Sequence, residues 1–237
     1  MLKEFIEYLL SLKKPEVVEV EGRSYATSSL RLINEGEPDV AAFEVRNLSG
    51  LVDYIQSTFD NDKELIIHVE SPTKVNVFDA LDSTGNRRTY IKAKAMLPSI
   101  TYDRFLEREE MNIMLQSCFV DNEDKATVLE IISSVVEDEG VTTTDDGISQ
   151  KIVVKQGVAS SAAIKTKKTY ELKPFRTFVE VKQPESEFIL RLREGAKAAL
   201  YEADGGAWEL NAIHSIRDYF KEKLSEEVAA GRIQVIA

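Results

Sequence analysis

The sequence is short of the residues from which most catalytic and metal sites are made. Its 237 residues include one cysteine, two histidines and one tryptophan. A single thiol, Cys118, excludes an internal disulfide framework and any zinc site built from several cysteines. It falls in an apolar helical pattern with Met114, Leu115 and Phe119, the setting of a small buried hydrophobe. A catalytic thiolate would need a neighbouring histidine. His68 and His214 are both remote in sequence, one inside an apolar strand pattern and the other between Ile213 and Ile216 of a helical pattern. Both read as structural residues, and neither builds a Ser-His-Asp triad or a histidine-rich metal site.

Signature motifs are missing as well. The chain has no G-x-x-x-x-G-K-[ST] phosphate loop, no G-x-G-x-x-G, no G-x-S-x-G elbow and no H-E-x-x-H. No apolar run approaches the ~20 residues of a membrane-spanning helix. The segment Met1 to Lys14 places Leu2, Phe5, Ile6, Leu9 and Leu10 at helical spacing, with Glu4 and Glu7 opposite, and no small-residue cleavage site follows. It reads as an amphipathic helix, and the expected location is the cytoplasm. Catalytic residues, metal ligands and cofactors are expected to be none.

Eleven glycines, six prolines and a 43% apolar fraction describe a chain able to fill a core. Net charge is −11, which disfavours general binding to phosphate backbones and any sequence-specific nucleic-acid role. The charge is uneven: −6 over residues 1–120, −8 over 121–146 and +3 over 147–237, with +6 inside 151–193. The acidic segment suits either a solvated helix face or a surface that occupies a basic partner.

Periodicity predicts an α+β fold: an N-terminal α/β lobe with hairpins (residues 1–97), a central helical pair (98–140), and a C-terminal antiparallel sheet backed by a C-terminal helix (141–237). These three segments are also compatible with one continuous domain. The first hairpin turns near Glu21-Gly22-Arg23. Arg31 to Pro38 reads as a loop and Val40 to Val45 as a short strand. Asn47 or Ser49 caps a helix, Glu64 to Glu70 is an apolar strand, and a second hairpin spans Lys74 to Leu97. The helical region starts at Pro98-Ser99 and ends at Gly140. Asp145-Asp146-Gly147 signals a hairpin turn, followed by runs at Ile148–Lys155, Ile164–Leu172, Phe175–Lys182, Glu187–Arg193 and Lys197–Glu202. The breaks are too short for parallel crossovers, so the runs read as an antiparallel meander. A last helix carries Leu210, Ile213, Ile216, Phe220 and Leu224 on one side, and Ile233 to Ile236 forms an edge strand that invites pairing between copies.

The basic meander holds the candidate site. If Phe175–Lys182 pairs with Glu187–Arg193, alternation places Arg176, Lys182, Arg191 and Arg193 on one face with Phe178 among them. Guanidinium forks beside an aromatic plate suit a small anionic, base-containing ligand. The competing reading is a solvated face balanced by Glu180 and Glu187. Arg87 and Arg88 of the other hairpin are possible additions. Trp208, after Gly205-Gly206-Ala207, either stacks on that ligand or anchors a core. Asp145, Asp146 and Asp204 stand where turns need them and where a Mg²⁺ site would also use them.

Five phrases in order, Glu21-Gly22-Arg23-Ser24-Tyr25, Leu48-Ser49-Gly50-Leu51-Val52-Asp53-Tyr54, Asp145-Asp146-Gly147-Ile148-Ser149-Gln150, Pro174-Phe175-Arg176-Thr177-Phe178 and Ala203-Asp204-Gly205-Gly206-Ala207-Trp208, resemble a family encoded by temperate phages and prophages of Gram-positive bacteria. That family is distantly similar to the prophage YfdQ-like proteins. The resemblance gives no residue a role. It implies a phage accessory protein acting in the host cytoplasm. The expected function is non-enzymatic capture and sequestration of a small anionic ligand, such as a cyclic-nucleotide immune signal, by a homo-oligomer. The alternatives are an acidic inhibitor of a host or phage DNA-metabolism partner and a metal-dependent nucleotide hydrolase.

Overall fold

The computed structural model describes residues 2–11, 16–20, 23–26, 41–59, 63–81, 85–134, 142–145, 150–156, 160–165, 167–193 and 195–237. The chain divides into two compact units at Val40/Ala41. The first contains α1 (Leu2–Ser11) and an antiparallel hairpin of β1 (Val17–Val20) and β2 (Arg23–Ala26). Phe5, Ile6, Tyr8, Val17, Val20 and Tyr25 are exposed there. The loop expected at Arg31 to Pro38 lies outside the described residues.

The second unit begins with β3 (Phe43–Val45), α2 (Leu48–Ser57), β4 (Leu65–Ser71), β5 (Lys74–Asp79) and β6 (Thr89–Lys94). It continues through β7 (Leu106–Glu107), α3 (Arg108–Cys118) and α4 (Glu123–Ser134). Then come β8 (Thr142–Asp145), β9 (Gln150–Gln156), β10 (Ser160–Lys165), β11 (Tyr170–Leu172), β12 (Ser186–Arg193) and β13 (Lys197–Glu202). The chain closes with α5 (Ala207–Lys223), α6 (Ser225–Ala229) and β14 (Ile233–Ile236). This is an α+β protein, as the periodicity predicts.

Two hydrophobic cores organise the second unit. In one, α2 and α5 cover a five-stranded sheet of order β14-β4-β5-β6-β3. Strand alternation turns Leu65, Ile67, Val69, Val75, Val77, Ile91, Ala93, Ile233 and Val235 toward the helices, where Leu51, Ile55, Ile216 and Phe220 meet them. The Asn47 side chain accepts the Gly50 amide and so starts α2, as expected of an N-cap. Gly231, at φ 76°, ends the helical segment and lets the chain turn into β14. That strand lies at the sheet edge, as the sequence suggests, and runs parallel to β4. Leu210, expected on the apolar side of α5, is 57% exposed.

In the other core, α3 and α4 pack on a sheet of order β11-β12-β13-β7, with Met111, Leu115, Cys118 and Val128 against Phe188, Leu190 and Leu192. Helix α3 starts at Arg108 rather than Pro98, and Phe105 precedes it. Strands β8, β9 and β10 form a separate antiparallel sheet, so the run Ile164–Leu172 contributes to two sheets instead of one strand. Gly140 and the Asp146-Gly147 turn lie outside the described residues. Neither core respects the boundaries drawn at 97 and 140: Phe178, Val181, Phe220 and Ile233 join residues 45–95 in the first.

Phe175–Lys182 is not a strand. Pro174 and Pro184 bracket it, and the Gln183 side chain takes over the role of a ladder partner. Its Oε1 accepts the amides of Arg176 and Thr177, and its Nε2 donates to the carbonyls of Thr177 and Phe178. A buried backbone needs such partners, and one amide side chain supplies both kinds. The loop ties the two cores together. Phe175 N donates to Cys118 O on one side, while Thr177 Oγ1 donates to Pro72 O on the other. Glu180 Oε1 accepts the amides of Leu48 and Ser49 at the start of α2, 2.8 and 3.2 Å away.

Candidate functional site

The loop's conformation takes apart the cluster expected on the basic meander. Phe178 is 1% exposed and part of the core, so it offers no stacking plate. Arg176 is 7% exposed and tied to Glu202 at 2.7 Å, with further donation to Ser186 Oγ and Pro184 O. Its guanidinium lies 3.9 Å from the centroid of Trp208, which thereby anchors a buried contact. Ser186 and Phe188 share one face of β12, and Glu202 is the cross-strand partner of Phe188, so Arg176 belongs to the core face. Arg191 and Arg193 alternate to the opposite face, where Arg193 packs over Phe105 at 4.0 Å. Lys182 is exposed. The four cations therefore do not converge, and the strongest of them is already neutralised. Burial draws the Arg176 pKa down and pushes the Glu202 pKa up, each against the pull of its partner.

Several carboxylates outside that cluster are also engaged. Asp204 accepts the amides of Gly206 and Trp208 and so holds the first turn of α5. Asp124 accepts Lys167 Nζ and the Glu171 amide, tying α4 to β11, and Asp121 pairs with the buried Lys125. Among the described residues no group of three or more His, Cys, Asp or Glu side chains is placed to hold a metal ion. Asp145 lies at the end of β8, while Asp146 and Glu137 to Glu139 lie outside the described residues. Cys118 is free and buried, and the Tyr102 phenol beside this core has its pKa pushed up by burial. Among the described residues no helix is long and apolar enough to cross a membrane.

A different convergence appears on the five-stranded sheet. Its second face carries the alternate residues: Glu44 of β3, Lys92 and Lys94 of β6, Lys74, Asn76 and Phe78 of β5, Ile66, His68 and Glu70 of β4, and Gln234 and Ile236 of β14. These are exposed or half-buried, so this face is open while the other is packed. Lys74 stands directly across from Lys94, and Lys92 is across from Asn76. Two like charges in direct cross-strand register oppose each other. Glu70 lies 3.6 Å from Lys74 and accepts a 2.7 Å hydrogen bond from Asn76, which with the lysine lowers its pKa. Glu44 is paired with Arg46 at 2.7 Å. Lys92 and Lys94 have no ion-pair partner among the described residues.

These side chains line a cleft of about 290 Å³, formed by Glu44, Glu70, Lys74, Asn76, Lys92 and Lys94. Next to it His68 and Phe78 stand with ring centroids 6.3 Å apart and planes inclined by 33°. The face thus joins ammonium groups to a half-open aromatic pair. The strand periodicity of Lys74-Val75-Asn76-Val77 and Ile91-Lys92-Ala93-Lys94 carries this signal, once the two runs are paired in register. No protein-family model, curated protein or solved structure matches the chain.

Proposed function

We propose that the protein is a non-enzymatic binder of a small anionic, base-bearing ligand, held on the open face of the five-stranded sheet. One observation carries the reading: Lys92 and Lys94, with no ion-pair partner among the described residues, stand beside Lys74 over a cleft of about 290 Å³ that Glu44 and Glu70 also line. Glu70 already offsets Lys74, so an anion is drawn to Lys92 and Lys94, and His68 with Phe78 offers the base an aromatic surface. The ligand class is the one expected from the sequence, and the residues that serve it are different.

Exposed ion pairs contribute up to about 1 kcal/mol each. A stacked base adds roughly 1–3 kcal/mol. Together they suit dissociation constants on the order of 100 μM for a single nucleotide. The phage resemblance supplies the setting, an accessory protein in the host cytoplasm that sequesters a nucleotide immune signal. Pairing of copies is supported by the edge position of β14 among the described strands and the exposed apolar side chains of the N-terminal unit, and sedimentation velocity tests it.

Calorimetry with ADP and cyclic dinucleotides tests the binding reading. Heat of binding that disappears in a Lys92→Glu/Lys94→Glu variant supports it. Absence of heat at millimolar ligand removes it. Recovery of a hydrolysed ligand after incubation with Mg²⁺ would replace it by the hydrolase alternative.

A further inference from the structure

The lysine cleft is not alone on this sheet: another lies at the strand ends, where β4 and β14 begin and β5 ends. This second cleft, of about 330 Å³, begins at Ile66 and Gln234 and is lined by Glu64, Leu81, Arg87 and Arg232. Ile66 is the cross-strand partner of Phe78, and Gln234 of Ile66, so this cleft continues the row beyond the aromatic pair. Arg87 is exposed, and its Nη1 donates to the carbonyl of Asp79, the last residue of β5. The face therefore runs from three lysines, past His68, Phe78 and Ile66, to an arginine-bearing cleft at the far end. Strand β5 has six residues from Lys74 to Asp79. At about 3.3 Å per residue the two ends are roughly 17 Å apart, farther than one nucleotide reaches.

We propose that the ligand on this face is a short single-stranded oligonucleotide, laid along β4–β6 with phosphates at the Lys74/Lys92/Lys94 end and the Arg87 end and bases against His68 and Phe78. This rests on the reading given above and names the ligand class of that site. Along the two clefts the lysines and arginines outnumber the carboxylates Glu44, Glu64 and Glu70, and such cations flanking an aromatic pair are the arrangement that holds unpaired nucleic acid. Paired bases keep their faces stacked inside a duplex and have none to give His68 or Phe78. The backbone groups of β4 and β5 are taken up by their strand ladders. The face thus presents side chains that grip phosphate and stack, which makes binding tolerant of sequence. The length also remedies the weakness of a one-nucleotide contact, because a strand of a few nucleotides reaches the cations at both ends as well as the aromatic pair. The overall charge of −11 confines this binding to the one face where cations collect.

The test measures the affinity of the full chain for fluorescein-labelled oligothymidylates of one to eight nucleotides by anisotropy, beside ADP by calorimetry. The expected result is at least tenfold tightening between one and about four nucleotides, then a plateau. About three phosphates should be engaged, with log K falling by about 2 per decade of salt at the single-strand slope of about 0.7 per phosphate. An Arg87→Glu variant, checked for folding by circular dichroism, should lose the gain with length. If ADP binds but affinity stays flat with length, the oligonucleotide inference is overturned and the nucleotide reading stands. If neither binds, both fall. If the gain persists in Arg87→Glu, the far end of the track is misplaced and the inference fails.

Discussion

Removing the Arg176 guanidinium tests whether this residue is a structural pin or a ligand contact. Arg176 is buried, bonded to Glu202 at 2.7 Å, and stacked on Trp208 at 3.9 Å. Breaking a fully buried ion pair from one side costs about 3–5 kcal/mol, because the surviving charge stays desolvated. The Glu202 side chain is 35% exposed, so water takes up part of that penalty. With the lost donation to Ser186 and Pro184, Arg176→Met should destabilise the fold by about 2–3 kcal/mol. For a chain of this length that corresponds to a fall in Tm of about 5–10 °C. Urea titration is the assay, read as a lower midpoint at unchanged slope. Replacing both partners, Arg176→Met with Glu202→Leu, should recover most of the loss, since the pair's attraction barely repays its desolvation. A single variant within 0.5 kcal/mol of the wild type would refute the reasoning. So would a variant of wild-type stability that has lost anion binding, which would return Arg176 to the site.

Gln183→Leu removes the partner of at least four backbone groups and should cost more than 2 kcal/mol by chemical denaturation, although leucine is similar in size. Lys94→Glu should act in the opposite sense on two measurements: it turns a repulsive cross-strand pair into an attractive one, adding a few tenths of a kcal/mol of stability, while weakening ADP binding. Stability that falls in step with binding would contradict the assignment. Burial works to raise the Asp124 pKa, but hydrogen bonds from Lys167 and the Glu171 amide outweigh it and hold the carboxyl below its ordinary range. A depressed folded-state pKa adds stability above the unfolded value of about 4, lost as pH falls through the folded one. Asp124→Asn should therefore be less stable than wild type at pH 7, with the gap closing below about pH 4 in paired urea titrations.

Much of the fold was legible because it follows local rules. The spacing of Leu48, Val52 and Ile55 after Asn47 gives α2, and the alternation of Phe188, Leu190 and Leu192 gives β12. The candidate site was misplaced because one alternating run, Phe175–Lys182, had two claimants. Period-2 patterning favoured a strand, while Gln183 and the flanking prolines favoured a closed loop, and a side chain folding back on its own backbone leaves no periodic trace. Nor did the sequence indicate that Glu180 would meet the start of α2, more than a hundred residues away. The lysine face was readable in principle, since Lys74, Lys92 and Lys94 occupy the polar register of adjacent strands. What was not readable is that this face stays open: that depends on where α2 and α5 pack, a choice made by tertiary contacts.

The most direct test is to find where a nucleotide lands. Amide chemical shifts of ¹⁵N-labelled protein, followed during titration with ADP, should move in 65–71, 74–79 and 89–94, with the largest changes around His68, Lys74 and Lys92. Changes confined to 173–186, Trp208 and β12, or no changes at millimolar nucleotide, would contradict the assignment of the open sheet face as the binding surface.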